Sequence, residues 1–219
     1  MIAGHPDYEW FINGGFGRYF RSPTLYEDCI KLVSTANTNW KNTVKIVRSL
    51  TENYGHDVNG VKAFPEPRQL IEISESDLKT HTKCGYRAKS FLDIAANALK
   101  DPDFFLDEGW KSLQPNSFFN RLLNIHGMGP GSASYLCRIY GKPHIYSIDS
   151  WVIKRCDELW GLNFRTTDKN GKKKPDIKKY ESYLKKRYEN FKEYGPSVCW
   201  FEITKYWHNN EKWEGMWWI

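Results

Sequence analysis

A short glycine-rich segment between two apolar stretches has the residue types needed to hold a phosphate. It lies within FFNRLLNIHGMGPGSASYLCRIYG, residues 118–141. Gly127 and Gly129 permit a positive φ and a close approach of the backbone to another molecule, and Pro130 suits the first turn of a helix. Backbone amides and the positive end of a helix dipole would then face one anion. The pattern predicts a helix-hairpin-helix that binds nucleic-acid phosphates without reading bases; the alternative is an ordinary glycine turn.

An aspartate follows the hairpin at a short distance. Asp149 comes after an extended apolar run and begins a helical pattern that contains Trp151, Val152 and Arg155. One interpretation is structural, because aspartate is a good N-cap for a helix. The other is chemical, with Asp149 as the reactive carboxylate beside the phosphate-binding hairpin.

Hairpin, Gly/Ala-containing helix, short loop and apolar-Asp-x-x-apolar helix start together resemble the helix-hairpin-helix, glycine/proline-aspartate (HhH-GPD) DNA glycosylase superfamily. The resemblance covers nearly the whole chain and is closest to the 3-methyladenine and 8-oxoguanine branches. It implies that Asp149 is catalytic: a nearby carboxylate stabilises the oxocarbenium-like sugar formed when an N-glycosidic bond breaks. It also implies DNA binding by Gly127, Met128, Gly129 and Gly131.

Two loops resemble those that fill the duplex after a base is flipped out. In STANTNW, residues 34–40, Asn37 matches a polar wedge residue. In CGYRAK, residues 84–89, the family match makes Tyr86 a second wedge and places Arg87 opposite the orphaned partner base. The second arginine that reads an orphan cytosine is replaced by Asn42, which argues against 8-oxoguanine paired with cytosine as the substrate.

Gly131 occupies the position of the nucleophilic lysine of bifunctional relatives. A glycine cannot form the Schiff base that strand cleavage requires. The resemblance therefore implies a monofunctional enzyme that leaves an abasic site, and the missing side chain makes the expected base pocket roomier. The C-terminal helix is the expected pocket wall, with Trp200, Phe201, Glu202 and Trp207 as its candidate residues beside Gly131; alternatively these aromatic side chains are core.

Three functions remain open besides repair of alkylated or oxidised purines. One is removal of a bulky hypermodified base, such as a glucosylated cytosine, from phage DNA as antiviral defence. Another is a non-catalytic DNA-binding hairpin protein. An RNA-binding or scaffold protein ranks last, because it is supported only by residues 165–187, which carry ten Lys or Arg and three Asp or Glu in a chain of net charge +6.

Helical periodicity dominates the chain, and no stretch shows sustained strand alternation. The predicted helices cover residues 24–35, 42–54, 86–99, 117–124, 131–140, 149–160, 176–192 and a segment from about 196. A capping-box-like SESD begins another at 74, and residues 166–176 are predicted to be a mobile basic loop. We expect an all-α, two-lobed HhH-GPD fold with a DNA-binding cleft and no N-terminal β lobe. Its single unit, residues 1–219, would have lobes of about 24–140 and of 1–23 with 141–219.

Five scattered cysteines without a CxxC pair predict reduced thiols in the core, no iron–sulfur cluster and no other metal site. The resemblance allows a monovalent cation at the hairpin and no other cofactor. With no apolar stretch long enough for a membrane span and no signal-peptide pattern at the start, the expected protein is a cytoplasmic monomer whose partner is double-stranded DNA.

Overall fold

A computed structural model describes the backbone of residues 6–15 and 18–209, and the side chains of 6–15 and 18–205. Helices dominate this part of the chain, which confirms the predicted all-α class. The α-helices are α1 (Glu9–Asn13), α2 (Leu25–Ser34), α3 (Trp40–Tyr54), α4 (Pro67–Ile71), α5 (Glu75–Thr82), α6 (Arg87–Lys100), α7 (Pro102–Phe105), α8 (Pro115–Leu123), α9 (Pro130–Ile139), α10 (Ser150–Trp160), α11 (Ile177–Arg187) and α12 (Gly195–Asn209). Short 3-10 helices cover Pro6–Tyr8, Gly109–Ser112 and Glu189–Tyr194.

Two small antiparallel hairpins complete the described secondary structure. In the first, β1 (Asp57–Val58) pairs with β2 (Val61–Lys62). In the second, β3 (Arg165–Thr167) pairs with β4 (Lys173–Pro175). The second hairpin corrects the prediction of a loop at 166–176. Strands of three residues are too short to produce a visible alternation of polar and apolar residues.

Most long helices are preceded by a residue whose side chain caps the first turn. Because such residues can be recognised in the sequence, the starts of these helices could be predicted. Thr24 caps α2 by accepting the Glu27 amide at 3.2 Å, and Ser74 caps α5 by accepting the Asp77 amide at 3.1 Å. Satisfying a free amide in the first turn stabilises a helix by about 1 kcal/mol. The short helices α1, α4 and α7 were not predicted, because four or five residues show no complete helical period.

The contacts divide the chain into two compact units, which have separate cores. The described part of the first is residues 21–136, in which α6 packs against α2, α4 and α5. Its fully buried side chains include Leu50, Leu70, Phe91, Ile94 and Phe118. The lobe bounds expected from the sequence stay a prediction.

The second unit consists, where described, of residues 6–20 and 137–209. Its core joins α10, α11 and α12 through Val152, Cys156, Tyr180, Leu184, Tyr188, Cys199 and Ile203. All five cysteines of the chain are buried free thiols, as predicted. No helix in the described ranges is long and apolar enough to cross a membrane.

Candidate active site

The predicted hairpin is present in the unit of residues 21–136. After α8, the amide of Ile125 donates to the Leu122 carbonyl and the amide of Met128 donates to the Ile125 carbonyl, each at 3.0 Å. Helix α9 then begins at Pro130. Met128 is only 6% exposed and its amide is used within the hairpin, so its side chain is part of the core of this unit.

The two hairpin glycines differ in what a side chain at each position would meet. Gly127 has a φ of +85°, and a Cβ there would lie 2.5 Å from Ser90 Oγ on α6. A side chain is therefore excluded both by backbone conformation and by close packing. The sequence permits a positive φ at both glycines, and among the two only Gly127 adopts it. A Cβ at Gly129 would meet no atom within 4 Å, so this position is open.

The start of α9 leaves backbone donors for an anion. Pro130 has no amide hydrogen, and the first amide bonded back along the chain is that of Ala133, which donates to the Gly129 carbonyl at 2.9 Å. The amides of Gly131 and Ser132 lie between them and lack an intrahelical acceptor. Two free amides at the positive end of a helix are suited to binding a phosphate.

The two predicted wedge residues meet on the exposed surface of this unit. Asn37 has a φ of 49° and its Nδ2 donates to the Tyr86 hydroxyl at 3.1 Å. That hydroxyl lies 3.4 Å from the Ala36 carbonyl oxygen, and Tyr86 is 61% exposed. The fold therefore brings together two loops that are 49 residues apart in sequence.

Arg87 is placed differently from its predicted partner-base position. The residue is only 7% exposed, and its guanidinium donates to the carbonyls of Cys84 and Ala36. It also lies over the Tyr86 ring, 4.7 Å from the centroid. In this conformation Arg87 joins the two wedge loops. A role opposite an orphaned base would require the side chain to leave these carbonyls, and that role stays a prediction.

Asp149 lies in the other unit, at the start of α10. Its Oδ1 accepts the Val152 amide at 2.8 Å, so the structural interpretation as an N-cap is correct. The residue is exposed, and no side chain in the described ranges donates to its carboxylate. The cap fixes one carboxylate oxygen and leaves the other available to a ligand or water.

A buried arginine contacts the segment before Asp149 directly and the segment after it through a tryptophan. Arg138 on α9 is 2% exposed, and its Nη2 donates to Ser147 Oγ at 2.5 Å. The guanidinium lies 4.4 Å from the ring centroid of Trp200, and the Trp200 ring is 5.6 Å from that of Trp151. Because Ser147 precedes Asp149 by two positions and Trp151 follows it by two, these contacts restrain both sides of the cap.

Sequence reasoning missed Arg138. The available signal was a lone arginine between the apolar residues Cys137 and Ile139, in a helical segment whose other positions are mostly apolar or small. A charge is rarely buried without a specific set of partners, so its position in that helix marked it for attention.

The residues predicted for the pocket wall have separate surroundings. Trp200 lines a small cavity, which is completed by Arg138, Tyr146, Ser147, Val152, Leu184, Pro196, Cys199 and Ile203. Phe201 instead contacts Phe11 and Tyr19, with ring centroids 4.4 and 5.2 Å away. Glu202 accepts hydrogen bonds from Tyr8, Arg187 and Tyr188. The side chain of Trp207 lies outside the described residues, and the pocket assignments stay predictions.

The cysteines do not supply a reactive thiolate. Burial raises the pKa of Cys137 and of Cys156 to about 12, and it raises the pKa of Cys29 and Cys199 as well. A thiol becomes a nucleophile only when it is ionised. In the described ranges, no group of His, Cys, Asp and Glu is arranged to hold a metal ion.

No protein-family model matches the sequence, and no curated protein matches it. Several solved structures, however, are similar to this chain. MBOgg1 in complex with a low-affinity DNA ligand has a TM-score of 0.68 and 15% identity, with 90% of this chain and 65% of that chain covered. Clostridium acetobutylicum 8-oxoguanine glycosylase/lyase, in complex with double-stranded DNA, has a TM-score of 0.67 and 19% identity over 90% and 64%. The 3-methyladenine DNA glycosylase of Schizosaccharomyces pombe, in complex with abasic DNA, has a TM-score of 0.64 and 16% identity over 92% of both chains.

The chain has the fold of these DNA glycosylases. The fold expected from the HhH-GPD resemblance is thereby confirmed. The chain spans 64–65% of the length of MBOgg1 and of the Clostridium acetobutylicum enzyme. At this level of identity the likeness establishes the fold, and activity must be argued from the residues.

Proposed function

We propose that this chain is a DNA glycosylase that flips a damaged or modified base out of double-stranded DNA and hydrolyses its N-glycosidic bond. The observation that carries the proposal is Asp149, an exposed carboxylate held at the start of α10 in a chain with this fold. Structures of the same fold include enzymes described as 8-oxoguanine and 3-methyladenine glycosylases bound to DNA.

Asp149 is suited to stabilising positive charge on a sugar. As the N-glycosidic bond breaks, the deoxyribose develops oxocarbenium character, and a fixed carboxylate lowers the energy of that state. The Val152 amide holds one oxygen in place, so the carboxylate needs little reorganisation. Once the base has left, the same carboxylate can orient or deprotonate the attacking water.

DNA would be bound through its phosphate backbone, and the duplex would be opened by the exposed pair of Asn37 and Tyr86. The free amides of Gly131 and Ser132 suit a phosphate, and a phosphate contact positions the duplex without reading its sequence. Asn37 and Tyr86 together present a polar and an aromatic group that can occupy the space left by a flipped nucleotide. A duplex wedge has no purpose in an RNA-binding scaffold, which supports DNA as the partner.

The reaction would end at an abasic site. Gly131 stands where bifunctional relatives have their nucleophilic lysine, and the buried, protonated thiols cannot replace it. Without an amine, no Schiff base forms at the sugar and the strand is not cleaved by β-elimination. The expected product is an intact strand that breaks only after treatment with hot alkali.

The decisive experiment compares the wild type with Asp149→Asn on oligonucleotides and whole DNAs that carry varied lesions and modifications. Released bases are identified by mass spectrometry, and abasic sites are revealed by alkali. We expect Asp149→Asn to abolish base release, with a loss of at least about a thousandfold, while the Kd for duplex DNA stays within about twofold. Asparagine keeps the side-chain oxygen that caps α10, so the variant should remain folded.

Three results would overturn parts of this proposal. Equal base release by Asp149→Asn would remove the assigned mechanism, and binding without any base release by the wild type would favour the non-catalytic DNA-binding alternative. Strand breaks before alkali treatment would contradict monofunctional hydrolysis.

A bulky modified base is the second candidate substrate. Gly131 leaves room beside the expected pocket, Asn42 replaces one cytosine-reading arginine, and Arg87, the other, is turned onto backbone carbonyls. Release of a hypermodified base from phage DNA, with simple alkylpurines left intact, would establish an antiviral function. Release of simple alkylpurines with modified phage DNA left intact would exclude it.

A further inference from the structure

An exposed group of lysines lies on the β3–β4 hairpin and the first turn of α11. We call Lys172, Lys173, Lys174, Lys178 and Lys179 the lysine patch. All five are exposed, and none forms an ion pair within the part of the chain that the structure describes. Three other basic residues nearby are neutralised: Arg165 pairs with Asp157, Lys185 with Glu181 and Arg187 with Glu202.

The hairpin presents these lysines on an ordered support. Its turn is closed by Asp168, whose Oδ1 accepts the amides of Asn170 and Lys172 at 2.9 and 3.0 Å. Gly171 has a φ of +78°, which suits the tight turn. A segment with this charge density would otherwise be expected to be an unstructured loop.

A polar cluster fixes the base of the hairpin to the core of its unit. Arg165 donates to Asp157 Oδ2 and to the Tyr180 hydroxyl, each at 2.7 Å, and that hydroxyl donates to Asp157. The Phe164 ring packs against Tyr180, with the centroids 5.2 Å apart. The hairpin is therefore attached to both α10 and α11.

The positions of these charges do not favour the fold. Lys178 and Lys179 lie in the first turn of α11, where the positive end of the helix dipole disfavours a cation. Three consecutive lysines in the hairpin also repel one another. A bound polyanion would relieve both effects, whereas folding alone gives no reason for the arrangement.

We propose that the lysine patch binds phosphates of duplex DNA away from the target nucleotide. This inference rests on the proposed function only in taking DNA as the polyanion. Helix α10, which is capped by Asp149, has 11 residues and is about 16 Å long. The hairpin is attached at its other end, through Asp157. A separation of this size equals about five base pairs when measured along a duplex, so the patch would contact phosphates other than those of the target nucleotide.

The salt dependence of binding tests the patch directly. The probe is a fluorescein-labelled, undamaged 30-base-pair duplex, and its Kd is measured by anisotropy from 50 to 300 mM NaCl. For Lys172→Ala/Lys173→Ala/Lys174→Ala we expect the slope of log K against log salt to fall by about two to three, because each phosphate contact contributes about 0.9. Base release at saturating protein should not change, since the variant keeps Asp149 and the hairpin of residues 125–130.

The matched control removes the same number of positive charges elsewhere. Lys31→Ala/Lys79→Ala/Lys111→Ala deletes three lysines that are ion-paired to Glu27, Glu75 and Glu108. Its salt slope should equal that of the wild type. Equal slopes for the two triple variants would overturn the inference, because the effect would then be one of net charge alone.

Two further outcomes separate the inference from the proposed function. A lowered slope in a protein that releases no base would support the patch and contradict the glycosylase. If the patch variant loses binding to polyglutamate or to anionic vesicles while its DNA slope is unchanged, the surface serves another polyanion and the inference is wrong.

Discussion

At the scale of single residues, Asp149 is the proposed reactive group and Arg138 supports the segment that contains it. Asp149 is exposed and capped, whereas Arg138 is buried and holds Ser147 at 2.5 Å. The sequence indicated Asp149, because an aspartate between an apolar run and a helical pattern can be recognised from neighbouring residues alone. The sequence indicated at most that Arg138 is a charge in an apolar helix; its role could not be predicted because its partners, Ser147 and Trp200, lie on other segments.

We predict that Arg138 positions Asp149. Arg138→Met keeps the length of the side chain but loses the bond to Ser147, and the cap should shift slightly. We expect the single-turnover rate of base release to fall about ten- to a hundredfold, since small displacements at a reacting centre have effects of this size. The Kd for DNA should change less than twofold. Arg138→Lys should recover part of the rate.

A double-mutant cycle distinguishes positioning from general destabilisation. Ser147→Ala removes the same hydrogen bond from the other side, so combining it with Arg138→Met should reduce the rate no further than the larger single effect. Additive losses of rate, or a loss that follows the melting temperature alone, would contradict the positioning role.

At the scale of elements, the hairpin between α8 and α9 depends on one glycine more than on the other. Both glycines were visible in the sequence, and their different roles were not. Gly127 contacts Ser90 on α6, a helix almost 40 residues earlier in the chain, so its tight packing depends on tertiary structure. Gly129 is open on the side where a Cβ would be.

We expect Gly127→Ala to destabilise the protein by about 1–3 kcal/mol, because it combines a left-handed residue with overpacking. Urea unfolding of the unit containing residues 21–136 measures the effect. Gly129→Ala is the matched control and should change the free energy of unfolding by less than about 0.5 kcal/mol. Equal effects at the two positions would show that the contact with Ser90 has no energetic weight.

At the scale of the whole molecule, stability at low pH should depend on Asp157. Burial disfavours its charged form, but hydrogen bonds from Tyr180, Arg165 and the Asn163 amide outweigh this and lower its pKa. A carboxylate with a lowered pKa in the folded state stabilises the protein above its unfolded pKa of about 3.9. That contribution is lost as the pH falls through the folded-state value.

Asp157→Asn should therefore destabilise the protein by about 1–3 kcal/mol at pH 7, the size of a charged hydrogen bond. The difference from wild type should begin to shrink as the pH falls below about 4, and it should be lost below the lowered folded-state pKa, where the wild-type carboxylate is also neutral. Thermal melts from pH 2.5 to 7 measure this, with Asp103→Asn at an exposed position as the control. A difference that does not change with pH would mean that the charge of Asp157 contributes nothing.

The helical class, the hairpin and Asp149 could be predicted from the sequence, because each depends on residues close together in the chain: apolar periodicity, glycines beside a proline, and a cap before a helix. The three-dimensional structure was needed to show where Arg87 and Arg138 point, that Asn37 contacts Tyr86, and that the basic segment is an anchored hairpin. These features depend on contacts between distant segments, and a linear pattern contains no information about which distant side chains meet. Asp149 could be identified from the sequence alone, whereas the contacts of Arg138 with Ser147 and Trp200 beside it are seen only in the three-dimensional structure.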